Sequence, residues 1–140
     1  MYFFDTNIII EFLRGRLPLA LELLNSTDTR LIKIPAIVEA ELLLGARKSA
    51  NPEKNRQAVE SFLCNFEIVP FDSKCAHCYA QIRAKLEQKG KVIGPNDLII
   101  AATALAHDGI VATNNVREFK RVPRLRLMSL TETPERPRLA

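Results

Sequence analysis

The sequence is poor in the residues that would set it apart from ordinary globular proteins. Its 140 residues include three cysteines, five glycines and eight prolines. An odd number of cysteines cannot pair completely within one chain, so a disulfide framework does not hold the fold together. Sparse glycine and proline, with hydrophobic residues at 47% and charged residues at 26%, exclude collagen-like, low-complexity and wholly disordered classes. No apolar run approaches the ~20 residues that span a bilayer, and Met1-Tyr2-Phe3-Phe4-Asp5 carries neither a basic leader nor a small-residue cleavage site. No membrane association is expected, and the cytoplasm is the expected compartment. Internal repeats and linkers are also missing. Residues 1–133 are therefore expected to form one domain, followed by a frayed tail at 134–140.

Excess positive charge is missing everywhere but at one end. The segment 117–140 contains Arg117, Lys120, Arg121, Arg124, Arg126, Arg136 and Arg138 against Glu118, Glu132 and Glu135, which accounts for the whole net charge of +4. A local basic patch suits a polyanion such as nucleic acid, or an acidic protein partner; the structural alternative is a solvated tail.

Hydrophobic patterning predicts short strands at Tyr2–Phe4, Leu31–Ile34, Glu67–Val69, Ile110–Ala112 and Arg124–Met128. Between them it predicts helices near 7–13, 17–25, 36–48, 53–65, 73–89 and 96–107, with Gly90, Gly94 and Gly109 as stops. Strands alternating with helices imply an α/β fold, a mostly parallel sheet of four or five strands covered on both faces. Ligands of such sheets bind beyond the carboxyl ends of the strands.

Three acids stand out against that frame. Asp5 closes the apolar triplet Tyr2-Phe3-Phe4 and precedes Thr6-Asn7 and a new apolar run, so it sits at a strand's carboxyl end and could equally cap the following helix. Asp97 opens the helix from Asp97 to Leu105 on the face of Ile100, Ala101, Ala104 and Leu105, although Asn96 beside it already offers capping chemistry. Glu39 and Glu41 lie two apart on one helix and point to different sides. Both neighbourhoods are apolar, and periodicity does not choose between them. Cys75-Ala76-His77-Cys78 has redox or zinc spacing, yet Cys75, Cys78, Tyr79, Ile82 and Leu86 form one apolar stripe and no second ligand pair is present. Core packing is the expectation there, and a helix cap is the expectation for Asp72. The apolar stretch 17–24 exceeds one buried face and suits either the core or an interface.

The order Phe4-Asp5-Thr6-Asn7, then Ala40-Glu41-Leu42-Leu43-Leu44-Gly45-Ala46, then Gly94-Pro95-Asn96-Asp97-Leu98-Ile99-Ile100-Ala101-Ala102, then Ala112-Thr113-Asn114-Asn115-Val116-Arg117-Glu118-Phe119 resembles the PIN-domain ribonucleases, specifically the VapC-type toxins of toxin–antitoxin systems. The resemblance covers nearly the whole chain. It implies a three-layer α/β/α fold and a metal-dependent endoribonuclease that hydrolyses RNA with metal-activated water. Glu41 rather than Glu39 joins Asp5 and Asp97 as ligands of Mg²⁺ or Mn²⁺, with Asn115 completing the catalytic set. Thr6, Asn7 and Thr113 would support those ligands, and Arg117, Lys120 and Arg121 would bind the RNA substrate. A VapB-like antitoxin and a homodimer are the implied partners.

Clustered carboxylates repel one another, and a hard divalent cation with oxygen ligands relieves that cost. The cation can then activate water, orient a phosphodiester and stabilise the leaving oxygen. One departure matters: many relatives resembling this chain carry aspartate where Asn115 stands, which leaves three carboxylates and a neutral amide. A rival reading follows from it, a catalytically impaired PIN-like module that binds RNA or protein.

Overall fold

The computed structural model describes residues 1–16 and 18–130, except the side chains of Leu19 and Ala20. The expected tail at 134–140 and Leu17 lie outside the described residues. The elements run β1 (Tyr2–Phe4), α1 (Thr6–Leu13), α2 (Pro18–Ser26), β2 (Ile32–Pro35), α3 (Ala36–Arg47), α4 (Pro52–Leu63), β3 (Glu67–Val69), α5 (Ser73–Gln88), α6 (Pro95–Ala106), β4 (Ile110–Ala112), α7 (Val116–Phe119) and β5 (Arg126–Met128). The strands form one sheet in the order β3-β2-β1-β4-β5, and every neighbouring pair is parallel. With helices on both sides this is the three-layer α/β/α arrangement expected.

β1 lies at the centre of the sheet because Phe3 and Phe4, on opposite faces, can both be buried. Phe3 and Phe4 are almost wholly enclosed, among Ile8, Ile9, Ile32, Ile34, Val111 and Ile100. Gly109 is required by this packing, since a Cβ there would stand 2.4 Å from Phe3 Cε2. Gly90 is required by conformation: with φ +64 it ends α5 in the left-handed region, and the Lys91 N–H turns back to the Leu86 carbonyl. Cys75, Ile82 and Leu86 are buried along α5, which places that stripe in the core, and the Asp72 carboxylate accepts from the Cys75 N–H at 3.1 Å as the expected cap.

Three local features depart from expectation. The second strand runs Ile32–Pro35 rather than Leu31–Ile34, because Leu31 closes a short 3-10 turn from Thr29 capped by Asp28. The last strand begins at Arg126 rather than Arg124, because Arg124 adopts φ +65, outside the extended region. The segment after Thr113 contains the four-residue helix α7, too short to register as periodicity and anchored by the fully buried Phe119.

Candidate active site

The pairing that sets Phe4 against Ala112 carries the chain one residue further, to Asp5 and Thr113, side by side at the carboxyl ends of the two central strands. Asp5 is only 4% exposed. One of its oxygens accepts from the Thr6 N–H at 2.7 Å and the other from the Thr113 hydroxyl, also at 2.7 Å. The acid therefore caps α1 with one oxygen and turns the other to Thr113.

The other acids arrive on helices that start at the same end of the sheet. Glu41, in the second turn of α3, accepts from the Thr6 hydroxyl at 2.6 Å and from the Asn96 amide at 3.0 Å. Glu39 instead lines a separate recess with Leu43, Glu60 and Cys64, so tertiary contacts separate two glutamates that periodicity could not. Asp97 lies in the first turn of α6 and accepts from the Asn115 amide at 3.2 Å. Asn96 makes no cap for that helix; its side chain is spent on Glu41.

Glu118 is the residue that sequence reasoning missed. It accepts from the Gly94 N–H with one oxygen and from the Asn115 amide, at 3.3 Å, with the other. Asn115 thus lies between two carboxylates, donating to both. The signal was the three-residue spacing from Asn115 to Glu118, which shares a face only if that segment is helical. Of the residues expected to support the acids, Thr6 and Thr113 bond to them directly. Asn7 is exposed in α1, and no side-chain hydrogen bond joins it to the cluster.

Burial and mutual repulsion show in the proton affinities. Asp97 is pushed up to about 7, first by desolvation and then by the charges of Asp5, Glu118 and Glu41. Desolvation also raises Asp5, against the lowering effect of its bonds from Thr113 and Thr6. Glu118 is held below its ordinary value chiefly by the Gly94 N–H. At neutral pH the cluster is therefore frustrated, with four acids held close together and Asp97 about half protonated.

The donor set is all oxygen, as a hard divalent cation requires. Among the described residues, no three His, Cys, Asp or Glu side chains already stand in an array that would hold an ion. Each carboxylate accepts from a neutral donor and keeps further oxygen lone pairs, so the acids fit a cation by chemistry while those donors hold them.

Arg117, Lys120 and Arg121 are all exposed, on α7 and just after it. The Arg121 guanidinium donates to the Val92 carbonyl at 3.2 Å and helps to hold Glu118 ionised. Among the described residues, no helix is long and apolar enough to cross a membrane.

A parallel five-stranded sheet with acids from the end of β1 and from α3, α6 and α7 at one end is the architecture of PIN-domain proteins, and the PIN domain family model matches residues 2–125. The chain belongs to this family and, within it, to the VapC ribonucleases. It is 43% identical over 128 residues to the ribonuclease VapC2 of Rickettsia felis, covering 89% of this chain and 94% of that protein. It is 37% identical over 126 residues to the tRNA(fMet)-specific endonuclease VapC of Salmonella typhimurium, covering 90% and 95%. The crystal structure of DNA-bound VapBC from Salmonella typhimurium superposes with a TM-score of 0.88 at 36% identity, over 93% of this chain and 98% of that one.

Proposed function

We propose that this chain is a divalent-metal-dependent endoribonuclease, the toxin of a toxin–antitoxin pair, acting in the cytoplasm. The observation that carries the reading is the convergence of Asp5, Glu41, Asp97 and Glu118 from four separate segments. Holding four acids together costs stability, and a structural role would not need that cost. Glu118 brings a fourth carboxylate to the position where Asn115 seemed to leave one missing, which weighs against the impaired-module reading.

Asp5, Glu41 and Asp97, with Glu118 beside them, would hold Mg²⁺ or Mn²⁺. When bound, the ion would supply Lewis-acid polarisation of the phosphodiester and activation of water. Asp97 would release its proton as the cation arrives, so uptake is coupled to pH. Thr113 and Thr6 fix the carboxylates of Asp5 and Glu41, Asn96 holds the second Glu41 oxygen, and Asn115 keeps Asp97 and Glu118 apart. Arg117, Lys120 and Arg121 would draw RNA phosphates toward them.

The names of the relatives support an RNA substrate, and the tRNA(fMet) specificity in one of them makes initiator tRNA the first substrate to try. The VapBC complexes support a VapB-like antitoxin and a dimeric assembly. Exposed Leu13 on α1 and Leu21 on α2 offer such a partner apolar contact. The test is cleavage of purified RNA with added Mg²⁺ or Mn²⁺ and with EDTA. Cleavage abolished by EDTA and restored by the ion is expected; metal-independent cleavage, or tight RNA binding with no cleavage under any condition, would overturn the reading.

A further inference from the structure

Beyond the acidic cluster, α7 has a second side. A groove of about 500 Å³ runs between it and the turn that ends α5, floored by buried Leu86 and within the ~300–1,000 Å³ of ordinary ligand clefts. Lys89 and Lys91 line one rim, and Arg117, Lys120 and Arg121 line the other. No carboxylate lines it. None of the five cations has an ion-pair partner among the described residues; Arg47, Lys48, Lys54, Lys74, Lys85 and Arg124 are also without one, and what sets the five apart is that they line one groove.

The rims are also held. Gly90, with its left-handed φ, fixes the turn that presents Lys89 and Lys91. The bond from Arg121 to the Val92 carbonyl ties that turn to α7, and Phe119 roots α7 in the core. The groove adjoins the acids: Arg121 on its rim acts on the Glu118 carboxylate, and the segment from Val92 to Gly94 bonds Arg121 at one end and Glu118 at the other.

We infer that this groove is a track for an RNA phosphodiester backbone, in which Lys89 and Lys91 grip the strand opposite Arg117, Lys120 and Arg121 where it leaves the acidic site. The inference rests on the ribonuclease reading and adds a second rim to the substrate path, from a part of the chain that the local charge excess does not include. RNA is favoured over an acidic protein segment by the groove's place beside the acids. A carboxylate-rich peptide continuing toward Glu118 would meet like charge, whereas a phosphodiester strand must reach both the cations and the acid site. Arginine's planar fork on one rim suits phosphate oxygens, and lysine's flexible ammonium on the other tolerates a strand of any sequence.

The test is binding of a fluorescein-labelled oligouridylate by anisotropy, with the full chain in EDTA so that nothing is cleaved, across about 50 to 200 mM salt. Each lost contact to single-stranded RNA should flatten the log–log salt slope by roughly 0.7, so Lys89→Gln with Lys91→Gln should flatten it by about 1.4. With a common affinity at 1 M salt, that corresponds to binding about 25-fold weaker at about 0.1 M. Arg117→Gln with Lys120→Gln should give the same loss from the opposite rim. Lys54→Gln with Lys74→Gln, an equal loss of charge on α4 and at the far end of α5, should leave the slope unchanged, and melting temperatures of all variants should match the parent. Equal loss in the distant pair would reduce the effect to net charge and overturn the inference. So would an unchanged slope in the Lys89/Lys91 pair, including the case where binding of polyglutamate falls instead. If no RNA is cleaved with Mg²⁺ yet the slope falls as stated, the track stands and the ribonuclease reading fails.

Discussion

Replacing Asp97 by asparagine should stabilise the metal-free protein, by an amount that depends on pH. Asp97 titrates near 7 in the fold against an ordinary value of 3.8. A raised carboxyl value means the neutral form favours folding: that contribution is complete below 3.8 and is lost as pH rises through 7. Undiscounted, the shift corresponds to about 4 kcal/mol once Asp97 is ionised. Asp97 is partly exposed, and solvent screening reduces that to about 2 kcal/mol. Asparagine removes the charge and keeps a carbonyl that can accept from the Asn115 amide, now at 3.2 Å from Asp97. The variant should therefore melt about 6 °C above the parent at about pH 8, with the gap narrowing as pH falls and nearly closed only at about pH 4. Thermal melts in EDTA at both pH values measure this directly. Adding Mg²⁺ should narrow or reverse the gap at pH 8, because only the parent keeps the full set of ligands. A variant that is less stable at pH 8, or whose advantage is the same at both pH values, would refute the claim that Asp97 is desolvated among like charges.

Asn115→Asp turns two amide donations, to Asp97 and Glu118, into like-charge contacts; it should lower the metal-free melting temperature and enlarge the shift produced by a Mg²⁺ or Mn²⁺ titration. Thr113→Val removes the hydroxyl that donates to Asp5 and accepts from the Asn115 N–H. A loss of about 2–3 kcal/mol in urea unfolding is expected, because the partners are buried. Gly109→Ala drives a methyl group into the Phe3 ring and should cost about 1–3 kcal/mol with cleavage reduced only in proportion to the folded fraction. A neutral Gly109→Ala would mean that the close approach of β1 to the α6–β4 turn is relaxed in solution.

Much of the architecture was legible in the sequence because it is local. Apolar triplets between turn residues mark β1 and β4, the α5 stripe through Cys75, Ile82 and Leu86 is a periodicity, and Asp5 and Asp72 announce helix starts by residue type. The site depends on contacts between residues far apart in the chain. Thr113 reaches Asp5 across 108 positions, Asn96 reaches Glu41 across 55, and Thr6 reaches Glu41 across 35. Those meetings follow from the strand order β3-β2-β1-β4-β5 and the register of β1 on β4, neither of which hydrophobic periodicity encodes. Periodicity gave Glu39 and Glu41 equally apolar neighbours, and the tie was broken by resemblance; in the fold, the placement of α3 brings Glu41 to Thr6 and Asn96. A helix of one turn has no period to read, so Glu118 stayed among the surface charges until Phe119 anchored α7 in the core. For the same reason Lys89 and Lys91 joined Arg117, Lys120 and Arg121 only in three dimensions: charge along the chain is a sum over neighbours in sequence, and a groove is lined by neighbours in space.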